Sequence, residues 1–324
     1  MSSAQKKTID LYQTMMQINA SAHLMRAARQ VGLLDELEAG QKTIEDICTA
    51  RFLHRESTQA LLDALVAIGI IERYDDDYAL SQAARLLSQY DRDLRDEMWD
   101  SLPDLIRGKT QRNQRDDRLR MIRDSANQWI HTAAAMQAAE MLDIGGEDGF
   151  RGIHLLDLGS GSAVWSCAMA HRDPELKVTA VDFEEAIGAS RQTADSIGLG
   201  DRFETIAGDP AALDLQPEHY DMVFVGQRLH TMDDDSARRF LARCIEATKP
   251  GGTVVVVDLF FGPHRQTLSE SIEALKLVLE TQGGYIRTLP QAEAMFKDAG
   301  LESVQFSFLA ASRIHLGLIK GTKA

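Results

Sequence analysis

Three short motifs of glycine and aspartate follow apolar runs in the second half of the chain. The first is the turn Gly159–Ser160–Gly161, Asp182 ends the next run, and Gly208–Asp209 ends a third. Glycines after a strand permit a tight turn and a close backbone approach to a ligand. A carboxylate at the end of the second run, where Asp182 stands, can accept hydrogen bonds from both hydroxyls of a ribose. Together these motifs predict a nucleoside pocket.

The glycine turn lacks the full dinucleotide fingerprint. That fingerprint requires a third glycine three residues after the second, and Val164 stands there. The spacing therefore favours a nucleoside without a pyrophosphate.

A histidine and an aspartate follow two further apolar runs. His230 comes after Tyr220–Gly226, and Asp258 lies near the end of Gly252–Phe260. Histidine titrates near neutral pH, and a carboxylate at one ring nitrogen can hold it in orientation, so this pair predicts a general base. The run Asp233–Asp235 instead predicts a cap for a helix over Ser236–Thr248.

These motifs require a sheet whose strand ends meet at one edge. Near-continuous apolar strands that alternate with helical segments are typical of a parallel sheet covered on both faces. The expected fold is α/β, an open, Rossmann-like doubly wound sheet with its ligand beyond the carboxyl ends of the strands. The predicted strands are Ile153–Gly159, Lys177–Asp182, Phe203–Asp209, Tyr220–Gly226 and Gly252–Phe260.

The first hundred residues have a different pattern. Helical periodicity from Met15 to Leu37 predicts short helices that stop at glycines. Thr43 with Asp46 resembles a capping box, and Ser57 is predicted to cap a second helix. A β-hairpin around an acidic turn then follows, which completes the helix, helix, hairpin order of a winged helix.

A winged helix raises the alternative of a DNA-binding regulator. The hairpin tip Asp75–Asp77 would repel the phosphate backbone, and the net charge of -14 opposes nucleic-acid binding as well. We therefore predict a packing or homodimerisation module. Its helices carry more apolar side chains than one small domain can bury: Leu11, Met15, Met16, Ile18, Leu24 and Met25.

Composition limits the remaining classes. A length of 324 residues favours two domains, and the three distant cysteines predict neither a disulfide framework nor a metal site. Without a signal sequence or an apolar run of about 18 residues, a cytoplasmic protein with no membrane partner is expected.

Residues 153–260 resemble the class I S-adenosylmethionine-dependent methyltransferases. The chain from about Met15 to Lys320 resembles their small-molecule O-methyltransferase branch, which has an N-terminal winged-helix dimerisation domain. The segments that carry the resemblance are Tyr220–Val225, Leu229–His230, Lys249–Gly252, Gly283–Thr288 and Ala299–Leu301.

The resemblance implies the cofactor S-adenosyl-L-methionine and a role for each matching position. Gly159, Ser160 and Gly161 would border its methionine part, Asp182 its ribose, and Asp209 with Pro210 its adenine. His230 would be the general base and Asp258 the acid that orients it. The other cofactor contacts expected are Asp157, Phe183, Gly208 and Gln227.

The resemblance also implies a division of the chain. Residues 1–100 would form the dimerisation domain and residues 149–324 the cofactor-binding domain. Connecting helices over residues 101–148 would line the acceptor pocket. The candidate lining residues are Trp99, Trp129, His131, Met136 and Met141.

Three positions depart from the family pattern near the predicted base. Thr231 replaces an aspartate, Met232 an aromatic residue and Ile286 a second acid. The expected activity is O-methylation of a small aromatic or polyketide-like molecule. Alternatives are N- or C-methylation, hydroxylation or cyclisation with the same cofactor, and a regulator without catalytic activity.

Overall fold

A computed structural model describes residues 3–85, 99–109, 128–262 and 266–324. The chain divides into two compact units, Met1–Asp96 and Glu97–Ala324. Among the residues described, we find no helix with the length and hydropathy needed to cross a bilayer.

The first unit begins with a long helix. Helix α1, Ser3–Gln30, has 28 residues, so the expected short helices were wrong for this segment. No glycine or proline interrupts the sequence between its ends, and nothing therefore breaks the helix before Gly32. The other elements are α2 (Leu33–Glu38), β1 (Lys42–Thr43), α3 (Ile44–Arg51), α4 (Arg55–Ala67), β2 (Ile71–Tyr74) and β3 (Asp77–Leu80).

A local capping signal explains how helix α3 begins, whereas helix α4 begins without a side-chain cap. Thr43 and Asp46 form the predicted capping box at the start of α3. Helix α4 starts after His54, so Ser57 lies inside its first turn and the predicted cap is wrong. The three strands form a sheet in the order β1-β3-β2, and Leu37, Ile47, Leu62, Leu65 and Tyr78 belong to the core beneath it.

The second unit is built on a mostly parallel sheet. Its strands are ordered β10-β11-β8-β7-β4-β5-β6, and β9 pairs with β8. The bounds are β4 (His154–Leu158), β5 (Lys177–Asp182), β6 (Phe203–Ala207), β7 (Tyr220–Gly226), β8 (Thr248–Phe261), β9 (Arg287–Thr288), β10 (Leu301–Phe308) and β11 (Leu316–Lys323). The helices are α5 (Leu102–Ile106), α6 (Thr132–Met141), α7 (Val164–Arg172), α8 (Glu184–Ser196), α9 (Asp234–Ala247), α10 (Leu268–Glu280) and α11 (Leu289–Asp298).

Two apolar clusters account for the continuous apolar strands. In β8, Val255 and Val257 belong to one cluster, and Val254 and Val256 belong to the other. Successive side chains of a strand point to opposite faces, so both faces of this strand are buried. The doubly wound α/β fold predicted from the sequence is confirmed.

The edge that holds the ligand motifs follows from this topology. Strands β4 to β8 run parallel, and the order reverses between β4 and β7, where β4 pairs with β5 on one side and β7 on the other. Ligands of such sheets bind at this switch point. As predicted, Asp233 caps α9 by accepting the Ser236 backbone N–H, at the start of the helix that follows β7.

Candidate active site

The glycine turn and Asp182 meet at the carboxyl edge of the sheet. The backbone N–H of Gly161 donates to Asp182 Oδ2 at 2.7 Å, and that of Phe183 donates to Oδ1 at 2.7 Å. Gly159 and Gly161 have φ values of 81° and 56°, a region that favours glycine. The Asp182 carboxylate therefore joins the ends of β4 and β5.

Asp182 is 1% exposed, and burial raises its pKa. The two backbone hydrogen bonds oppose that rise, as does the positive charge of Arg228. The backbone donors and the Arg228 charge each favour the charged form of the carboxylate.

Asp157 has a different environment in the interior of β4. It is buried and accepts a hydrogen bond from the Ser166 hydroxyl of α7. Burial raises its pKa to about 7. The structure therefore shows Asp157 joining β4 to α7 below the glycine turn. Ser160 also points inward, with its hydroxyl 3.2 Å from that of Ser190.

A cleft of about 1070 Å³ opens along the next strand ends. Phe183, Gly208, Asp209, Arg228 and Phe240 are among the residues that line it. The Asp209 side chain is exposed, and its Oδ1 accepts the Ala211 backbone N–H at 2.8 Å. The two aromatic rings and the carboxylate suit the flat, amine-bearing base of a nucleoside.

Two more of the predicted cofactor contacts shape the backbone beside this cleft. Pro210 is buried directly after Asp209. Gln227 has a φ of 52°, and its N–H donates to Val257 O at 2.7 Å as the chain leaves β7. Both residues set the course of the loops at the edge of the sheet.

Gln128 contacts the glycine turn, and sequence reasoning missed it. Its Oε1 accepts the Ser162 backbone N–H at 3.0 Å. A Cβ on Gly161 would lie 2.4 Å from this side-chain amide, and the φ of 56° at Gly161 also favours glycine there. No sequence signal links these residues, because they are 34 positions apart.

Arg228 was missed as well, although its position directly before Leu229–His230 offers a signal. It is 7% exposed and lines the cleft, with its guanidinium carbon 5.7 Å from the Phe240 ring centroid. A buried cation beside Asp182 moderates the negative charge of the predicted ribose site.

The predicted base and its partner are in contact. The His230 backbone N–H donates to Asp258 Oδ2 at 3.0 Å, and the ring atom Nδ1 lies in contact with Oδ1. This contact is not counted as a hydrogen bond of Nδ1, which is buried. The His230 side chain is 12% exposed and that of Asp258 is 1% exposed, so a largely buried carboxylate backs a partly accessible imidazole.

The three departures from the family pattern have distinct surroundings. Thr231 is buried, and its hydroxyl donates to Arg228 O at 2.8 Å, which closes the turn Leu229–Thr231. Met232 packs against the apolar cluster below α9. Ile286 belongs to the buried cluster that contains Trp165, so the position of the second acid is apolar.

The predicted acceptor-lining residues are only partly brought together. His131 stacks on Trp165 with ring centroids 6.0 Å apart, and burial lowers its pKa to about 4, opposed by the charge of Glu273. Trp99, Met136 and Met141 are more than a third exposed. The Trp129 side chain and residues 110–127 lie outside the described part of the chain.

Comparison with known proteins agrees with this architecture. A family model described as an O-methyltransferase domain matches residues 112–302. The chain is 23% identical to 3-hydroxy-5-methyl-1-naphthoate 3-O-methyltransferase of Streptomyces sahachiroi, covering 93% of this chain and 91% of that protein. It is 24% identical to the mitomycin biosynthesis 6-O-methyltransferase of Streptomyces lavendulae, covering 86% of this chain and 85% of that protein.

A solved structure has the same fold. Human N-acetylserotonin methyltransferase, determined in complex with S-adenosylmethionine, superposes with a TM-score of 0.72 at 19% identity and full coverage of both chains. Fold and site thus define an S-adenosylmethionine-dependent methyltransferase. The family match spans more than half of the chain, and the protein belongs to the O-methyltransferase domain family.

The residues of this edge fit the family's cofactor. A buried carboxylate, Asp182, stands between the glycine turn and a cleft with aromatic walls, as a nucleoside with an extended amino-acid tail requires. The glycines of this turn permit a close approach of the backbone to the cofactor. The protein is therefore an S-adenosylmethionine-dependent O-methyltransferase.

Proposed function

We propose that the protein methylates a phenolic hydroxyl of a small aromatic or polyketide-like molecule, with His230 as the general base. The contact between His230 and the buried Asp258 carries this proposal. The names of the two Streptomyces relatives state O-methylation of a naphthoate and a role in mitomycin biosynthesis, and they support this class of acceptor.

In this proposal the nucleoside end of the cofactor is held by Asp182, with Asp209 and Pro210 beside the base. Phe183, Gly208 and Gln227 line the same edge, and Gly159–Gly161 borders the methionine part. S-adenosylmethionine, when bound, supplies an electrophilic sulfonium methyl group. Asp157, joined to Ser166, keeps the glycine turn seated on α7.

His230 removes the acceptor proton. With a proton on Nδ1 facing Asp258, the Nε2 atom has a free lone pair. A phenol has a pKa of about 10, so a hydrogen bond to a neutral imidazole strengthens it as a nucleophile. With the cofactor bound, the acceptor oxygen would receive the sulfonium methyl group, S-adenosylhomocysteine would leave, and Nε2 of His230 would take the acceptor proton.

We further propose the division of labour that the resemblance implies. Residues 149–324 bind the cofactor, residues 101–148 line the acceptor pocket, and residues 1–100 form a winged-helix dimerisation domain. The side chains of Leu11, Met15, Met16 and Ile18 on α1 are each more than half exposed, which supports a homodimer. Free cysteines at three sites fit a reducing compartment such as the cytoplasm.

Light scattering tests the homodimer. We expect twice the chain mass of 35.9 kDa at micromolar concentration. A variant that combines Leu11→Lys, Met15→Lys and Ile18→Lys should be a monomer. The control Ile197→Lys changes an exposed isoleucine of the second unit and should remain a dimer. A monomeric wild type would reject the dimer and leave the methyl transfer proposal untouched.

Incubation with methyl-labelled S-adenosylmethionine and a panel of hydroxynaphthoates, other phenols and arylamines tests the activity. We expect an aryl methyl ether that carries the label in its methyl group, and an equimolar amount of S-adenosylhomocysteine. Label on nitrogen or carbon would replace the O-directed proposal, and an oxygenated product without label would favour the hydroxylating alternative. Binding of S-adenosylhomocysteine without turnover of any acceptor would contradict a phenolic substrate.

A further inference from the structure

Arg287 holds both ends of the turn that carries His230. Its guanidinium Nη1 donates to Leu229 O at 2.7 Å, and Nη2 donates to Met232 O at 3.0 Å. These two carbonyls lie on either side of His230 in sequence. Arg287 is 3% exposed, so these charge-assisted bonds are shielded from water.

A carboxylate and a phenol complete the surroundings of this guanidinium. Asp234 Oδ1 accepts from Arg287 Nη2 at 3.0 Å and from Nε at 3.2 Å. It also accepts the Tyr285 hydroxyl at 2.7 Å, and the Tyr285 ring lies 4.6 Å from the guanidinium carbon. The Tyr285 hydrogen bond and then Arg287 lower the pKa of Asp234, so the buried cation is balanced by an ionised partner.

The backbone of the same segment packs directly on the turn. A Cβ on Gly284 would lie 2.7 Å from His230 O and 2.8 Å from the carbonyl carbon of Thr231. The Gly284 N–H donates to Thr281 Oγ1 at 2.9 Å, which anchors the segment to the end of α10. No side chain larger than that of glycine fits between the two pieces of chain.

The turn is therefore fixed from two sides. Asp258 at the end of β8 binds the His230 N–H, and Arg287 in β9 binds the flanking carbonyls. With Ile286 at the position of a second acid, orientation of the imidazole depends on where the backbone is held. A displacement of about 1 Å at a reacting group can reduce a rate by about 10²-fold.

We propose that Arg287 is a positioning residue for His230, and that the hydrogen-bonded group of Arg287, Asp234 and Tyr285 sets the geometry of proton removal. The proposal rests on the proposed function, because it assigns the base that Arg287 positions. Its consequence is a separation of effects: loss of Arg287 should impair proton removal and leave the nucleoside site intact.

Two substitutions and a matched control test it. Arg287→Met removes every hydrogen bond of the guanidinium, and Arg287→Lys keeps the charge. Arg238→Met removes an arginine from an exposed ion pair with Asp298, 3.2 Å long, on the same helix that Asp234 begins. The readouts are kcat, KM for the acceptor, Kd for S-adenosylhomocysteine, and Tm.

For Arg287→Met we expect kcat to fall about 10²-fold, with KM and Kd changed less than about threefold. Arg287→Lys should recover part of kcat, and Arg238→Met should match the wild type. An unchanged kcat, or a loss explained entirely by a lowered Tm, would overturn the proposal.

Nuclear magnetic resonance of the histidine rings provides a readout that needs no acceptor. The His230 ring signals, assigned by their absence in His230→Gln, should shift in Arg287→Lys and stay in place in Arg238→Met. Signals unmoved in Arg287→Lys would overturn the positioning role even if Arg287→Met failed to fold. Absence of turnover in the wild type, by contrast, would contradict the proposed function alone.

Discussion

Asp182→Ala is the sharpest test of the nucleoside site. The carboxylate accepts two backbone N–H groups at 2.7 Å each, and in the complex it would also receive the ribose hydroxyls. Hydrogen bonds to a charged group contribute a net free energy of about 1.5–3 kcal/mol. We expect affinity for S-adenosylhomocysteine to fall by about 1–3 kcal/mol, or about 5- to 150-fold in Kd.

A second buried aspartate offers a matched control. Asp173 is 1% exposed and accepts the N–H of Gly152 at 2.6 Å and of Glu175 at 2.9 Å, at the opposite end of the sheet. Asp173→Ala should lower Tm because it loses the same kind of bonds. The Kd of Asp173→Ala for S-adenosylhomocysteine should equal that of the wild type, because the predicted nucleoside site is at the other end of the strands.

Isothermal titration calorimetry at several pH values measures both effects. Because burial raises the pKa of Asp182, the wild-type affinity should decrease at a higher pH on acidification than an ordinary aspartate would allow. Asp182→Ala should lack this decrease. An unchanged Kd in Asp182→Ala, or an equal loss in Asp173→Ala, would refute the assignment of the ribose site.

Four further substitutions test the base, its partner and two buried titratable groups. His230→Ala should reduce kcat by about 10²–10⁴-fold and Asp258→Asn by less, with Kd for S-adenosylhomocysteine unchanged; full turnover in His230→Ala would assign proton removal elsewhere. His131 has its pKa lowered to about 4 from 6.5, so the unfolded chain takes up a proton first and stability is lost as pH falls from about 6.5 to 4. Urea unfolding at pH 7.5 and 5 should show a smaller loss for His131→Gln, and an equal loss would reject this linkage. Asp157 has its pKa raised to about 7 from 3.8, so the unfolded chain releases the proton first and stability is lost as pH rises from about 4 to 7. The stability of Asp157→Asn relative to the wild type should therefore increase as pH rises from 5 to 8. The increase in the free energy of unfolding is at most about 1.4 kcal/mol for each pH unit below about 7. A difference between variant and wild type that is the same at pH 5 and pH 8 would contradict this linkage.

The elements and motifs that depend on near neighbours were predictable from the sequence. Apolar runs marked β5 and β7 at their observed bounds, because a strand covered on both faces is apolar at most of its positions. The capping box of Thr43 and the cap at Asp233 were predictable because each spans three residues. The strand-end motifs were predictable because parallel strands end at one edge.

Contacts between distant segments required the tertiary structure. Gln128 reaches Ser162 across 34 residues, and Arg287 reaches Leu229 across 58, and neither pair leaves a local pattern. The antiparallel strands β10 and β11 were not predicted either, because β11 extends the sheet by pairing with the distant β8. Residue type and spacing thus determined which groups could bind a nucleoside or remove a proton. The packing of β9 against the His230 turn decided how the base is held, because that geometry depends on which segments the folded sheet brings into contact.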